Sequence, residues 1–132
     1  MPNLRREIGW HPDHFTRAAA EDALWRDHTD DLTAFHWHGD RFDLPAGAVS
    51  LAWSALTDCQ AFRWGRSAYG VLFHLEVGEK EVARMTWEFQ AELLSTGQCP
   101  ADILHPAARH LPVLERAGIE VFRRWAPLLE AP

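Results

Sequence analysis

Along the first half of the chain, apolar side chains recur at every second position in short runs separated by turn residues; after Gly78 they recur at every third or fourth position. Leu32 to His38 predicts a strand, with Leu32, Ala34, His36 and His38 on one face and Thr33, Phe35 and Trp37 on the other. Ala48 to Ser54 predicts a second strand, reached through the turn residues Pro45 and Gly47. Gln60 to Trp64 and Ala68 to His74 predict two more, joined by Gly65-Arg66-Ser67. A connection that short closes a hairpin and has no room for the crossover of a parallel pair. Arg6 to Trp10 and His14 to Ala18 predict two further strands.

Beyond Gly78 the period is helical. Val82, Met85, Phe89 and Leu93 form one stripe, with Gly97 placed to end it. Ala101 to His110 predicts a helix interrupted at Pro106. A last helix has Pro112 near its start, and Leu114, Gly118, Val121, Phe122, Trp125 and Leu129 make its core-facing stripe. Pro127 is expected to kink or fray its end. No Pro/Gly/Ser linker separates the two halves, so they predict two layers of one domain over residues 1–132. The expected fold is α/β, a mixed sheet with hairpins followed by C-terminal helices.

Composition narrows the class. With 132 residues, 47% of them hydrophobic and 24% charged, the chain is large enough to bury about two-thirds of its unfolded surface. Seven Trp and seven Phe supply the apolar area that offsets the ordering entropy, so disorder is not expected. These tryptophans predict a core or an interface. A net charge of −6 lacks the basic face of a general nucleic-acid binder, so no nucleic-acid partner is expected. Charges interrupt every hydrophobic stretch well short of a membrane span, and Arg5, Arg6, Glu7, His11, Asp13 and His14 fall where a signal peptide would be apolar. Two cysteines make no disulfide framework. The expected setting is the cytoplasm, with no membrane partner.

The candidate chemistry lies in Phe73-His74-Leu75-Glu76, at the C-terminal end of a predicted strand. Residues two apart on a strand point to the same side, about 6–7 Å apart at Cα. A Glu76 carboxylate therefore reaches one ring nitrogen of His74 and leaves the other to accept a proton, which is the base-and-orienter half of a nucleophilic triad. Taken alone, the same His-x-Glu also fits an ordinary strand end with exposed polar groups. His11, His14, His36 and His38 do not complete a metal-ligand pattern with any Cys or carboxylate, so no metal and no cofactor is expected. Arg123 and Arg124 predict a solvated helix face.

Linked motifs add weight. The chain reads His36-Trp37-His38-Gly39-Asp40-Arg41-Phe42-Asp43-Leu44-Pro45-Ala46-Gly47-Ala48, then Cys59-Gln60-Ala61-Phe62-Arg63-Trp64-Gly65, then Tyr69-Gly70-Val71-Leu72-Phe73-His74-Leu75-Glu76. This order and spacing resemble the class I glutamine amidotransferases, in particular stand-alone domains similar to the amidotransferase part of GMP synthase. Glu7-Ile8-Gly9-Trp10 resembles the family's Glu-Ile-Gly-Trp strand, and Ala117 to Leu129 its closing helix. The resemblance spans nearly the whole chain. It implies hydrolysis of the glutamine side-chain amide, or of a related γ-amide, by a Cys thiolate to supply ammonia. It assigns the triad base to His74 and its orienting acid to Glu76, and makes His38, Gly39 and Asp40 a turn beside the glutamine pocket, with a structural or substrate-proximal role. Leu72 stands where the family commonly has Gln, and Leu75 where many members have Pro.

The family nucleophile sits in a Gly-x-Cys-x-Gly elbow ahead of Glu-Ile-Gly-Trp, and that region is expected to be absent here. Cys59 and Cys99 lack the flanking glycines of an elbow. The expectation is thus the C-terminal part of an amidotransferase, with base and acid but no nucleophile, inactive alone, and self-associating or completed by a partner chain. The alternatives are a non-catalytic binding or regulatory module on the same fold, and a small α+β interaction domain whose His-x-Glu is accidental.

Overall fold

A single 14-residue strand, β1 (Pro2–Phe15), stands where two short ones were expected. It outlasts either because it changes partner along its length. From Glu7↔His38 to Asp13↔Leu32 it pairs with β2 (Leu32–Asp40); at His14↔Trp53 and Phe15↔Ala52 it passes to β3 (Val49–Trp53). The computed structural model describes residues 2–28 and 30–130. β4 (Ala61–Trp64) and β5 (Ala68–Val71) complete a curled sheet in the order β2-β1-β3-β4-β5. Every pairing among these strands is antiparallel, where a mixed sheet was expected. The reason lies in the connections: among the described residues every α-helix follows the sheet, so none is available to carry a parallel crossover.

Two predicted strand ends move. Residues 17–21 form a short 3-10 turn, because Ala18-Ala19-Ala20 has no β-branched or aromatic side chain to hold a ladder. Thr16 is also captured by β3, its N–H donating to the Leu51 carbonyl (2.9 Å) and its hydroxyl to that of Ser50 (2.7 Å). β5 stops at Val71 and does not run to His74. The Leu72 N–H still donates to the carbonyl of Gln60, just ahead of β4, but the His74 N–H donates to the Phe35 carbonyl of β2 at 2.9 Å. The chain after β5 thus crosses the mouth of the curl.

The helices cover the face that carries Ile8, Trp10, Phe35 and Trp37. α1 (Glu79–Glu88) and α2 (Gln90–Ser95) break at Phe89, then stop ahead of Gly97 at φ +82°. The Glu81 carboxylate accepts the Gly78 N–H at 3.1 Å and closes the first turn of α1. α3 (Pro100–Glu130) is one continuous helix, although Pro106 was expected to interrupt it, Pro112 to lie near a start, and Pro127 to kink or fray its end. Burial of Ile103, Leu111, Leu114, Ala117 and Val121 along one stripe holds the helix through the prolines. In the turn before Pro106, the Trp10 indole N–H donates to the Ile103 carbonyl at 3.0 Å. Phe122 and Leu129, read as core-facing, are about half exposed. Arg124, read as solvated, instead ties α3 to the 22–28 segment by donating to the Leu24 carbonyl (3.1 Å) and pairing with Asp27.

The glycine of Glu7-Ile8-Gly9-Trp10 has a conformational reason. Gly9 sits at φ +110°, and a Cβ there would stand 3.1 Å from Gln98 Oε1 and 3.2 Å from Ile103 Cδ1. Gly9→Ala is expected to lower stability by about 1–3 kcal/mol in urea unfolding; an unchanged midpoint would contradict this reading.

Candidate functional site

The dyad segment inherits its geometry from alternation. Phe73, Leu75 and Val77 are buried, and His74 and Glu76, which alternate with them, share the opposite side. His74 Nδ1 lies 2.7 Å from Glu76 Oε1. A carboxylate accepts only, so Nδ1 carries the proton and donates it, and Nε2 presents its lone pair. Nε2 has no partner among the described residues. The His74 side chain is 25% exposed, enough for a substrate to reach, and its ring packs 5.9 Å from that of Phe35. Partial burial of Glu76 works to raise its pKa, but the His74 hydrogen bond and backbone N–H groups outweigh it, and the carboxyl titrates below its ordinary range. This arrangement holds a basic imidazole nitrogen at a fixed place, ready to take and return a proton.

His38, Gly39 and Asp40 lie elsewhere. His74 pairs with Phe35, and Phe35 and Trp37 project from the helix-covered face of β2, whereas His38 projects from the opposite face. There Nε2 of His38 meets the Glu7 carboxylate at 3.2 Å and Nδ1 meets the Asp40 carbonyl at 2.9 Å. Asp40 is exposed at the strand end, and Gly39 lies against the Arg6 side chain. The structure brings His74 and Glu76 together and places His38 against a different group.

That group is Glu7, 1% exposed and without a sequence-level role beyond its motif. Its carboxylate accepts from Ser54 Oγ (2.7 Å), Thr57 Oγ1 (3.0 Å) and Gln60 Nε2 (2.6 Å), besides facing His38. Burial alone would raise the Glu7 pKa. Hydrogen bonds from His38, Ser54 and Thr57, with the charge of His36, overcome that and hold it at about 2. Beside it, His36 and Asp13 form a fully buried pair at 2.9 Å, with the other His36 nitrogen 3.0 Å from the Ala34 carbonyl. Burial works against a charged His36, but Asp13 and Glu7 prevail and raise its pKa. The signal available in the sequence was an acidic residue on the inward face of a strand, opposite Ile8.

The other candidates have separate occupations. His11 bonds to the Ile8 carbonyl (2.9 Å) with its ring 5.6 Å from that of His36, which in turn lies 6.0 Å from that of His38, while His14 turns away to Asp31 (2.8 Å). No group of three or more His, Cys, Asp or Glu among the described residues is placed to hold a metal ion. The Cys59 thiol is buried, donates to the Ala61 carbonyl (3.5 Å), and is pushed up in pKa by burial, the wrong direction for a thiolate nucleophile. Cys99 is exposed at the start of α3, where its N–H donates to Asp102 (2.8 Å). Among the described residues no helix is long and apolar enough to cross a membrane.

Comparison with solved structures fixes the fold. A glutamine amidotransferase from Thermotoga maritima matches 98% of this chain with a TM-score of 0.83 and 30% identity. A glutamine amidotransferase from Methylobacillus flagellatus matches 97% with a TM-score of 0.85 and 25% identity. This chain spans about half the length of each, 54% and 55%. No family model matches the sequence, and no curated protein does. The α/β amidotransferase-like fold expected from the sequence is the fold observed.

The Glu7 cluster sets a pH dependence. The free carboxyl has an ordinary pKa of 4.5 and the folded one about 2, so its contribution is complete above about pH 4.5 and is lost as pH falls toward 2. The difference corresponds to about 3 kcal/mol. Denaturant unfolding of wild type and Glu7→Gln between pH 7 and pH 2 should show the variant less stable at neutral pH and its acid slope shallower; parallel curves would contradict the assignment.

Proposed function

We propose that this chain, folded as a partial class I glutamine amidotransferase-like domain, supplies the base and the orienting acid of a Cys-His-Glu triad that hydrolyses the side-chain amide of glutamine and releases ammonia. The observation that carries the reading is the 2.7 Å contact from His74 Nδ1 to Glu76, which leaves Nε2 ready to act as a base. The similarity to two glutamine amidotransferases over nearly the whole chain supports the same class of chemistry.

In this reading His74 Nε2 takes the proton of a cysteine thiol, and the thiolate attacks the amide carbon of glutamine. The C–N bond breaks as His74 returns that proton to the leaving nitrogen, so ammonia departs and a thioester remains. Water then attacks the thioester, giving a proton to His74 while glutamate leaves, and the proton returns to sulfur. Glu76 keeps the proton on Nδ1 throughout and offsets the imidazolium charge. Neither Cys59 nor Cys99 suits the nucleophile, so the thiol comes from polypeptide outside these 132 residues, in the same protein or in a partner chain. His38 supports this site indirectly, through its contact with Glu7, and Gly39 and Asp40 follow it in the same turn.

A fusion tests this. Residues 2–130 are joined behind the part of the Thermotoga maritima enzyme that this chain does not match, and ammonia release from glutamine is measured. The soluble fusion is expected to be active, with His74→Ala lowering kcat about 10²–10⁴-fold and leaving KM nearly unchanged. The 132-residue chain alone is expected to stay at background. A folded fusion indifferent to His74 and Glu76 would favour a non-catalytic binding module. Ammonia release by the chain alone that is abolished by Cys59→Ala or Cys99→Ala would overturn the placement of the nucleophile.

A further inference from the structure

Gly118 lies in the middle of α3, fully within the helix and buried. Its φ is not among the positive values, so the backbone does not require glycine there. Helix propensity favours alanine at such a position. What excludes a side chain is space. A Cβ on Gly118 would stand 2.6 Å from the Leu75 carbonyl oxygen, 3.5 Å from its carbonyl carbon and 3.7 Å from Leu75 Cβ. The first two are backbone atoms, which cannot swing aside as a side chain does. Leu75 is the residue between His74 and Glu76.

We propose that Gly118 is a positioning residue for the His74–Glu76 pair: its bare backbone lets α3 seat directly on the Leu75 peptide and so hold the two flanking side chains on one side. The inference rests on reading that pair as the working part of the site. The helix has little room to yield, since Leu114, Ala117 and Val121 around Gly118 are buried in the core. The dyad segment is fixed from its other side too, by the His74 N–H on the Phe35 carbonyl. A methyl at 118 is therefore taken up by displacement or rotation of the Leu75 peptide. The hydrogen bond that spans it, at 2.7 Å, is the interaction most sensitive to that movement.

The test is spectroscopic and needs no activity. In the 132-residue chain, NMR reads the hydrogen-bonded His74 Nδ1–H proton and the pH titration of the Glu76 carboxyl carbon. Gly118→Ala is expected to lose the downfield Nδ1–H signal and to move the Glu76 midpoint up toward its ordinary range, with helix content by circular dichroism retained. Leu114→Val, which removes a methylene from the same buried helix face and adds nothing at position 118, is expected to lower the unfolding temperature by several degrees and to leave both signals in place. If Gly118→Ala is unfolded in buffer, the same spectra are taken after refolding in trimethylamine oxide. Retention of both signals in folded Gly118→Ala would overturn the proposal, as would an equal loss in Leu114→Val. A fusion without glutaminase activity would count against the triad and leave this result standing; unchanged spectra would count against Gly118 alone.

Discussion

A buried carboxylate with every neighbour turned toward it is the constraint on which this structure depends. An isolated carboxylate as buried as Glu7 would cost many kcal/mol, and the fold offsets that cost only by collecting donors from across the sheet. They come from β2 (His38), from the bend after β3 (Ser54 and Thr57) and from the residue ahead of β4 (Gln60). The same residues then reach the dyad. The Gln60 carbonyl accepts the Leu72 N–H at 2.8 Å, and β2, held by His38, offers the Phe35 carbonyl to the His74 N–H. Both backbone anchors of the segment that carries His74 and Glu76 are thus tied to one charge on the far side of the sheet.

The curl of the sheet follows from the same constraint. β1 pairs with β2 and then with β3, which brings Ser54, Thr57 and Gln60 over its inward face. His36 and Asp13 extend the polar interior, and the helices seal the opposite face through Trp10, Phe35 and Trp37. A glycine at each of two close approaches, Gly9 against Ile103 and Gly118 against Leu75, lets α3 settle onto that face. The site is therefore built from outside inward: helix against peptide, peptide against strand, strand against buried charge.

Much of this was legible in the sequence. Alternation in Leu32 to His38 correctly divides the faces of β2, and the His74-x-Glu76 spacing places the two side chains together, because both are local and depend on a period of two. The Glu7 cluster was not legible, since its members lie 31 to 53 residues from Glu7 and converge only when the sheet curls; the hydrogen bonds to Ser54 and Gln60 alone span 47 and 53 residues. Local rules also misjudged α3. Pro106 and Pro112 signal helix ends, but the buried stripe from Ile103 to Val121 overrides them, and Arg124 is drawn from solvent by an acceptor 100 residues away. Gly118 reads as one more position on an apolar stripe until the Leu75 carbonyl is seen against it.

The groups gathered on Glu7 should hold the dyad segment as firmly as the sheet, although it is no strand. Native-state amide hydrogen exchange at Leu72 and His74 tests this most directly. Both amides are expected to exchange only with opening of the core, as slowly as those of β2, and Gln60→Leu, which removes one donor to Glu7, is expected to speed both well beyond its effect on β2. Exchange of Leu72 and His74 at the rate of an exposed loop in the wild-type protein would contradict it.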